Sequence, residues 1–87
     1  MALLAIQHAV RDYPVWRAVY DSLDEIQRDW GVTTASVHQL VDAPNTVLVL
    51  LNFATVAQAQ GFLTNRQTRA AMQNAGLEGT PRIEIYD

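Results

Sequence analysis

The 87-residue chain contains no cysteine and no lysine. Without cysteine there are no disulfides, thiolate metal sites, iron–sulfur clusters or cysteine nucleophiles. Without lysine, Schiff-base chemistry and the lysine of phosphate-binding loops are excluded. The groups that remain for proton transfer near neutral pH are two histidines, His8 and His38.

Positive charge is also scarce. Six arginines stand against nine acidic residues, which gives a formal net charge of −3. Nucleic acid and anionic membranes are therefore not expected as partners. The N-terminal segment MALLAIQHAV has no basic region and is far shorter than a membrane-spanning helix, so neither a signal peptide nor a membrane anchor is expected. These features together predict a cytoplasmic protein.

The hydrophobic pattern predicts one domain, residues 1–87, that contains four strands and two helices in the order βαββαβ. The strands are predicted at residues 3–10, 35–41, 46–53 and 82–86. The two halves repeat weakly at an offset of about 45 residues, which favours a ferredoxin-like α+β fold. In that fold a four-stranded antiparallel sheet of order 4-1-3-2 carries both helices on one face.

Capping residues set the limits of the two predicted helices. The first begins at Pro14 and is ended by Gly31, with Trp30 expected as its last fully buried anchor. The second is capped by Thr55, is interrupted near residues 64 and 65, and is ended by Gly76.

Strand register predicts which side chains share a face of the sheet. A turn at residues 42–45 would place Val41 opposite Thr46 and His38 opposite Val49. Both histidines are then expected on the apolar face that lies under the helices. The opposite face has no helix left to cover it and mixes polar with apolar side chains: Leu3, Ala5, Gln7, Val37, Gln39, Val41, Leu48, Leu50, Asn52, Arg82, Glu84 and Tyr86. This face predicts a homodimer that packs sheet against sheet, with a solvated sheet as the alternative.

Three segments, HAVRDYPVWRAVYD, DAPNTVLVLLNF and RAAMQNAGLEGTPRIEIY, together resemble the dimeric α+β barrel family. The resemblance is to its short members, which are similar to antibiotic-biosynthesis monooxygenases and small cyclases. It implies a homodimer whose two sheets form a barrel, with a pocket in each subunit between sheet and helices. It also implies a cofactor-independent monooxygenase-, cyclase- or isomerase-like activity.

Two departures from the family pattern limit this resemblance. Haem-degrading relatives bind iron through a histidine on a helix, whereas His8 and His38 are predicted on strands, so haem is not expected. Monooxygenase-like relatives place an asparagine near the substrate. Asn52 is predicted on the barrel side of the sheet and is not assigned that role.

His8 is the leading candidate for chemistry because it closes the first strand where the first helix begins. Tyr13, Trp16 and Tyr20 are expected to wall a small cavity beside it. A neutral imidazole there can take a proton from a phenol or an activated carbon acid without any metal or cofactor. We therefore expect His8 as the base, Tyr13 and Tyr20 as proton donors, and four residues that bind the substrate: Trp16, His38, Phe62 and Met72.

The residues alone leave two functions open. One is a cofactor-free enzyme acting on a small apolar aromatic or polyketide-like molecule. The other is a non-catalytic dimeric module that binds a small molecule in the same pocket. His8 is also compatible with a core histidine that a neighbouring group satisfies. An open cavity with an unpaired His8 nitrogen favours catalysis, and a filled core favours binding elsewhere or a purely structural role. No metal is expected, because the histidines and acids lack the short spacing of known ligand motifs.

Overall fold

The computed structural model describes all residues, 1–87, and contains four strands and four short helices. In chain order they are β1 (Ala2–Val10), α1 (Tyr13–Asp21), α2 (Asp24–Asp29), β2 (Val32–Leu40), β3 (Ala43–Phe53), α3 (Val56–Thr64), α4 (Arg66–Asn74) and β4 (Leu77–Tyr86). The strands form one antiparallel sheet in the order β2-β3-β1-β4, and the helices cover one face. The predicted ferredoxin-like fold and its strand order are confirmed. None of the helices is long and apolar enough to cross a membrane.

The first helical segment is two helices, α1 and α2, and the prediction of one continuous helix is wrong. The break lies at Ser22, whose hydroxyl donates to the carbonyl of Val19. The Ser22 backbone N–H is shared between the carbonyls of Ala18 and Val19, at 3.2 and 3.1 Å. A serine that forms local hydrogen bonds of this kind competes with continuation of the helix.

The second helical segment is interrupted at Asn65, as predicted. Asn65 has an extended backbone between α3 and α4, and its side chain accepts a hydrogen bond from the N–H of Gln67 at 2.7 Å. Asparagine is a favoured N-cap because its side-chain oxygen satisfies a backbone donor in the first turn. The helix α4 therefore begins as a separate helix with its own N-cap.

Gly31 and Gly76 end the two helical segments, as predicted. Each follows a helix, precedes a strand and has a positive φ, of 94° and 75° respectively. Residues with a Cβ rarely adopt this conformation, so glycine is the residue that allows the chain to turn from a helix directly into a strand.

The hydrophobic core lies between the helices and the apolar face of the sheet, and β1 and β3 supply most of it. Trp16 on α1 is the large buried aromatic of the helix layer, with 4% of its surface exposed. Trp30 is 39% exposed, so the prediction that it is a fully buried anchor is wrong. It follows the end of α2, and its ring lies against Gly61. A Cβ added at Gly61 would lie 3.2 Å from Cζ3 of the Trp30 ring.

The hairpin between β2 and β3 has a different register from the predicted one. Leu40 pairs with Ala43 across a tight turn, while Gln39 pairs with Val47, so β3 contains extra residues at this point. Pro44 has no N–H to donate to the ladder, and its carbonyl instead accepts from the Gln39 amide at 3.2 Å. This irregularity shifts the pairing of β2 by one residue.

A shift of one residue moves every side chain of a strand to the other face. Val37 pairs with Val49 and lies under the helices, whereas His38 pairs with Leu48 on the uncovered face. The predicted placement of His38 under the helices, and of Val37 on the open face, is wrong.

Strand β4 begins at Leu77, five residues earlier than predicted. The β1–β4 ladder changes register between Gln7 and Ala9, and Gly79 in this part of β4 has a φ of 72°. Glycine and proline in the segment LEGTP indicate a loop from sequence, but an edge strand accommodates them as a bulge.

The face of the sheet opposite the helices is uncovered in this chain. Leu3, Leu48 and Leu50 lie half-buried on it, as predicted, among polar neighbours. On β2, however, the residues of this face are Thr34, Ser36 and His38. We call this surface the open sheet face, and its residues are Leu3, Ala5, Gln7, Thr34, Ser36, His38, Leu48, Leu50, Asn52, Arg82, Glu84 and Tyr86.

Candidate functional site

A small cavity lies between the apolar side of the sheet and the helices above it. About 50 Å³ of it is open to the centres of water-sized molecules, and the space between its walls, including the part open to solvent, is about 480 Å³. We call it the sheet–helix cavity. Its fifteen lining residues, twelve of them hydrophobic, include His8, Trp16, Tyr20, Phe62, Thr68 and Met72. A single water needs about 10–15 Å³ of the volume that is open to water centres, so the cavity has room for a few waters. A ligand the size of an aromatic ring fits only if the helices move apart.

His8 is the central polar group of this cavity. It is on β1 with 7% of its surface exposed, and neither Nδ1 nor Nε2 has a hydrogen-bond partner. The β1–β4 ladder is interrupted at His8, which pairs with Val47 on β3 but has no paired residue on β4. Because burial disfavours the charged imidazolium, the pKa of His8 is lowered from its ordinary value of 6.5. The ring is therefore neutral at pH 7.

A row of aromatic side chains on α1 extends from His8. Trp16 lies next to the imidazole, with the ring centroids 5.3 Å apart and the planes inclined by 56°. Tyr20 stacks on Trp16, with the ring centroids 5.2 Å apart and the planes inclined by 19°. The spacing of four residues places Trp16 and Tyr20 on one side of the helix. Both line the cavity, as predicted.

Tyr13 is in the same row but lies outside the cavity. Its ring is 5.8 Å from that of Trp16, and its hydroxyl accepts a hydrogen bond from the Arg17 guanidinium at 3.4 Å. The prediction that Tyr13 walls the cavity is wrong, and its role as a proton donor stays a prediction.

Phe62 and Met72 line the cavity from α3 and α4, and their role in substrate binding stays a prediction. Phe62 is buried and packs against Phe53 of β3, with the ring centroids 5.7 Å apart. Met72 is half-buried on α4. Flexible methionine and aromatic side chains suit a wall that adapts to an apolar guest.

His38 is not part of this site. It is exposed on the open sheet face, and its Nε2 is 3.0 Å from the hydroxyl of Ser36. A residue on that face cannot reach a ligand held on the other side of the sheet. The structure therefore separates the two histidines that the sequence analysis brought together.

Two buried polar residues of the cavity were missed from sequence. Thr68 on α4 is 2% exposed, and its hydroxyl has no hydrogen-bond partner. Gln27 on α2 is also buried and lies at the edge of the cavity. The available signal for Thr68 was its spacing, since residues 68, 72 and 75 fall on one side of a helix.

No charged residue lines the sheet–helix cavity. Charges begin just outside it, in a polar groove that shares Tyr20 and Gln27 with the cavity and also contains Arg17, Asp21 and Asp24. In the groove Arg17 pairs with Asp21 at 3.0 Å. Tyr20 and Gln27 thus stand where the apolar interior meets solvent. No three histidine, aspartate or glutamate side chains of the chain are grouped as metal ligands.

The fold places the chain in a structural class. A ferredoxin-like four-stranded sheet, covered by helices on one face, is the architecture of the antibiotic biosynthesis monooxygenase-like proteins, and these are the structural neighbours of this chain. The resemblance expected from the sequence is therefore confirmed at the level of the fold.

Three solved structures illustrate this similarity. SnoaB, a cofactor-independent oxygenase from Streptomyces nogalater, matches with a TM-score of 0.83 at 9% identity, covering 99% of this chain and 90% of that chain. An antibiotic biosynthesis monooxygenase matches with a TM-score of 0.79 at 12% identity, over 100% and 97% of the two chains. A conserved protein from Methanosarcina mazei Go1 gives 0.80 at 16% identity, over 99% and 91%.

Comparisons based on sequence give no match. No family model matches the chain, and no curated protein matches it either. At identities this low the structural similarity establishes the fold, while activity has to be argued from the site.

Proposed function

We propose that this protein is a cofactor-independent enzyme that removes a proton from a small, neutral, largely apolar aromatic or polyketide-like molecule in the sheet–helix cavity. The observation that carries the proposal is the state of His8, whose two ring nitrogens are both buried and unpartnered. A buried polar group without a partner costs free energy, so its presence in an apolar row is better explained by a ligand than by packing.

A general base has to be unprotonated before it reacts, and burial favours the neutral form of His8. Since burial keeps the ring neutral at pH 7, one nitrogen is free to accept a proton from a phenol or from a C–H group beside a carbonyl. Oxygen attack, ring closure or isomerisation of the resulting anion are the reactions open to such an enzyme. This proposal is supported by two proteins that share the fold: SnoaB is a cofactor-independent oxygenase, and the other is an antibiotic biosynthesis monooxygenase.

The other lining residues receive roles that match their positions. Trp16 serves as a stacking wall between His8 and Tyr20, and Tyr20 at the cavity edge serves as a proton donor. Phe62 and Met72 close the apolar side. A ring-sized substrate has to widen the cavity, and the helix layer that would have to move is already divided into short helices at Ser22 and Asn65.

We further propose that the chain forms a homodimer through the open sheet face, in the manner of a dimeric α+β barrel. The half-buried Leu3, Leu48 and Leu50 lie on this face, and no helix of the chain covers them. Burying such a patch against a second copy removes apolar surface from water on both subunits. The two cavities would then lie on the outer sides of the paired sheets.

Proton abstraction can be tested with an enolisable ketone, 2-tetralone, in D₂O. The wild-type protein should accelerate exchange of the C–H protons beside the carbonyl, followed by NMR. His8→Gln should abolish the acceleration because glutamine forms hydrogen bonds but does not titrate. His38→Gln is the matched control and should exchange as the wild type does. Equal rates for wild type and His8→Gln would show that His8 is not the base.

The alternative is a non-catalytic module that binds a small molecule in the same cavity. The lining of the cavity favours it, since twelve of the fifteen lining residues are hydrophobic and suit the binding of an apolar molecule without any reaction. This alternative predicts that 2-tetralone binds, as seen by NMR shifts of cavity side chains, while its exchange rate stays that of the buffer.

A further inference from the structure

Only two side chains of the molecule hold buried polar atoms without a partner, and both line the sheet–helix cavity. They are His8 on the sheet and Thr68 on α4, which form different walls of the cavity. An unpaired hydroxyl is costly to bury, and such groups are rare in folded proteins. Their occurrence together in one cavity calls for a common explanation.

Local structure explains why the Thr68 hydroxyl is free. A threonine inside a helix usually donates to the carbonyl three or four residues before it. Thr64 at the end of α3 does so, donating to the carbonyls of Gln60 and Gly61 at 3.2 Å each. Thr68 stands in the first turn of α4. The carbonyl three residues before it, that of Asn65, already accepts the Arg69 N–H at 3.0 Å, and the extended Asn65 takes the residues before it out of the helix. The break between α3 and α4 thus leaves the Thr68 hydroxyl available to the cavity.

We infer that Thr68 is a second substrate-contacting residue, whose hydroxyl donates a hydrogen bond to a carbonyl or phenolic oxygen of the ligand. This inference rests on the proposed function and narrows its substrate class to neutral rings that carry an oxygen able to accept a hydrogen bond. Carboxylates, phosphates and ammonium groups are disfavoured, because no charged side chain lines the cavity to balance them.

The two residues divide the work of enolate formation. His8 takes the proton from the carbon beside the carbonyl, and the electrons of that C–H bond form the enolate double bond. The carbonyl π electrons move to oxygen, where the Thr68 O–H stabilises the negative charge that develops. A donor fixed in a dry site is well suited to this task. In D₂O the carbon recovers a deuteron, so the step needs no oxidant.

Thr68→Val and Thr68→Ser test the inference, with Thr64→Val as the matched control. Thr68→Val keeps the shape but removes an unsatisfied hydroxyl, so its melting temperature should equal or exceed that of the wild type. Its affinity for 2-tetralone should fall roughly three- to tenfold, while its affinity for tetralin, which lacks the carbonyl, stays unchanged. Thr68→Ser should restore ketone binding, and Thr64→Val should bind both probes as the wild type does.

The outcomes separate this inference from the proposed function. If Thr68→Val binds 2-tetralone as well as the wild type does, or if it melts clearly lower, the hydroxyl has no ligand role and the inference is wrong. Proton exchange that depends on His8 would then still support the enzyme. If the wild type does not accelerate exchange but Thr68→Val loses its preference for the ketone, the proposed enzymatic function is wrong and the role of Thr68 in ligand binding stands. Failure of the wild type to bind either probe would overturn both.

Discussion

The indole of Trp16 lies against the imidazole of His8, with 5.3 Å between the ring centroids. The indole covers the imidazole of His8, whose two nitrogens have no hydrogen-bond partner. Trp16 thereby contributes to the burial that lowers the pKa of His8. The aromatic row on α1 and the titration of the candidate base are therefore coupled.

Trp16→Ala should raise the pKa of His8 back toward 6.5, because the substitution admits water to the imidazole. The NMR shifts of the His8 ring protons, followed against pH, measure this change. Trp30→Ala is the control, since Trp30 does not line the cavity. An unchanged His8 titration in Trp16→Ala would mean that other walls keep the ring dry.

The two tryptophans should also differ in their contribution to stability. Trp16→Ala is expected to cost about 3–5 kcal/mol, the range for a buried aromatic. Trp30→Ala should cost only about 1–2 kcal/mol, because the Trp30 side chain is partly exposed. Denaturant unfolding of both variants measures the difference. Equal costs would contradict the assigned packing of α1 and α2.

The lowered pKa of His8 should appear in the pH dependence of stability. Below about pH 6.5 the unfolded chain binds a proton at His8 that the folded protein does not bind, so folding is weakened as the pH falls. The loss continues, at up to about 1.4 kcal/mol per pH unit, until the lower pKa of the folded state is reached. His8→Gln should lack this part of the pH dependence when its unfolding free energy is compared with that of the wild type. Parallel curves for the two proteins would contradict the burial of a neutral imidazole.

The proposed dimer should be sensitive to charge on the open sheet face. Leu50→Asp would place an unpaired carboxylate in the interface, so it should halve the mass measured by light scattering or destabilise the protein. Ala57→Asp, on the exposed side of α3, is the control and should leave the mass unchanged. Circular dichroism distinguishes dissociation from unfolding. A monomeric wild type, or a Leu50→Asp variant that is still a dimer, would contradict the proposed interface.

The fold was predictable because the signals that set it are local. Apolar periodicity indicated the strands and helices, and Gly31 and Gly76 were correctly predicted to end the two helical segments. The register of β2 was not predictable in this way. It depends on extra residues in β3 near Pro44, and a shift of one residue moved His38 to the other face.

The candidate site was predictable in part, for a similar reason. His8, Trp16 and Tyr20 were placed correctly because strand alternation and helix spacing decide where they point. Thr68 was missed because its only sequence signal is its spacing with residues 72 and 75, which is weak for a polar residue in a short helix. Its position depends on how α4 lies over the sheet, which is a tertiary property.

The irregularities of the two edge strands bear on how copies of this chain meet. In β2 the pairing shifts between Val32 and Thr34, and in β4 a glycine of positive φ and Pro81 disrupt the regular backbone pattern. A bent edge with missing donors is a poor template for a further strand, which discourages edge-to-edge polymerisation into fibres. The chain can therefore carry the uncovered open sheet face without offering neighbouring copies a straight edge to which a further strand could add.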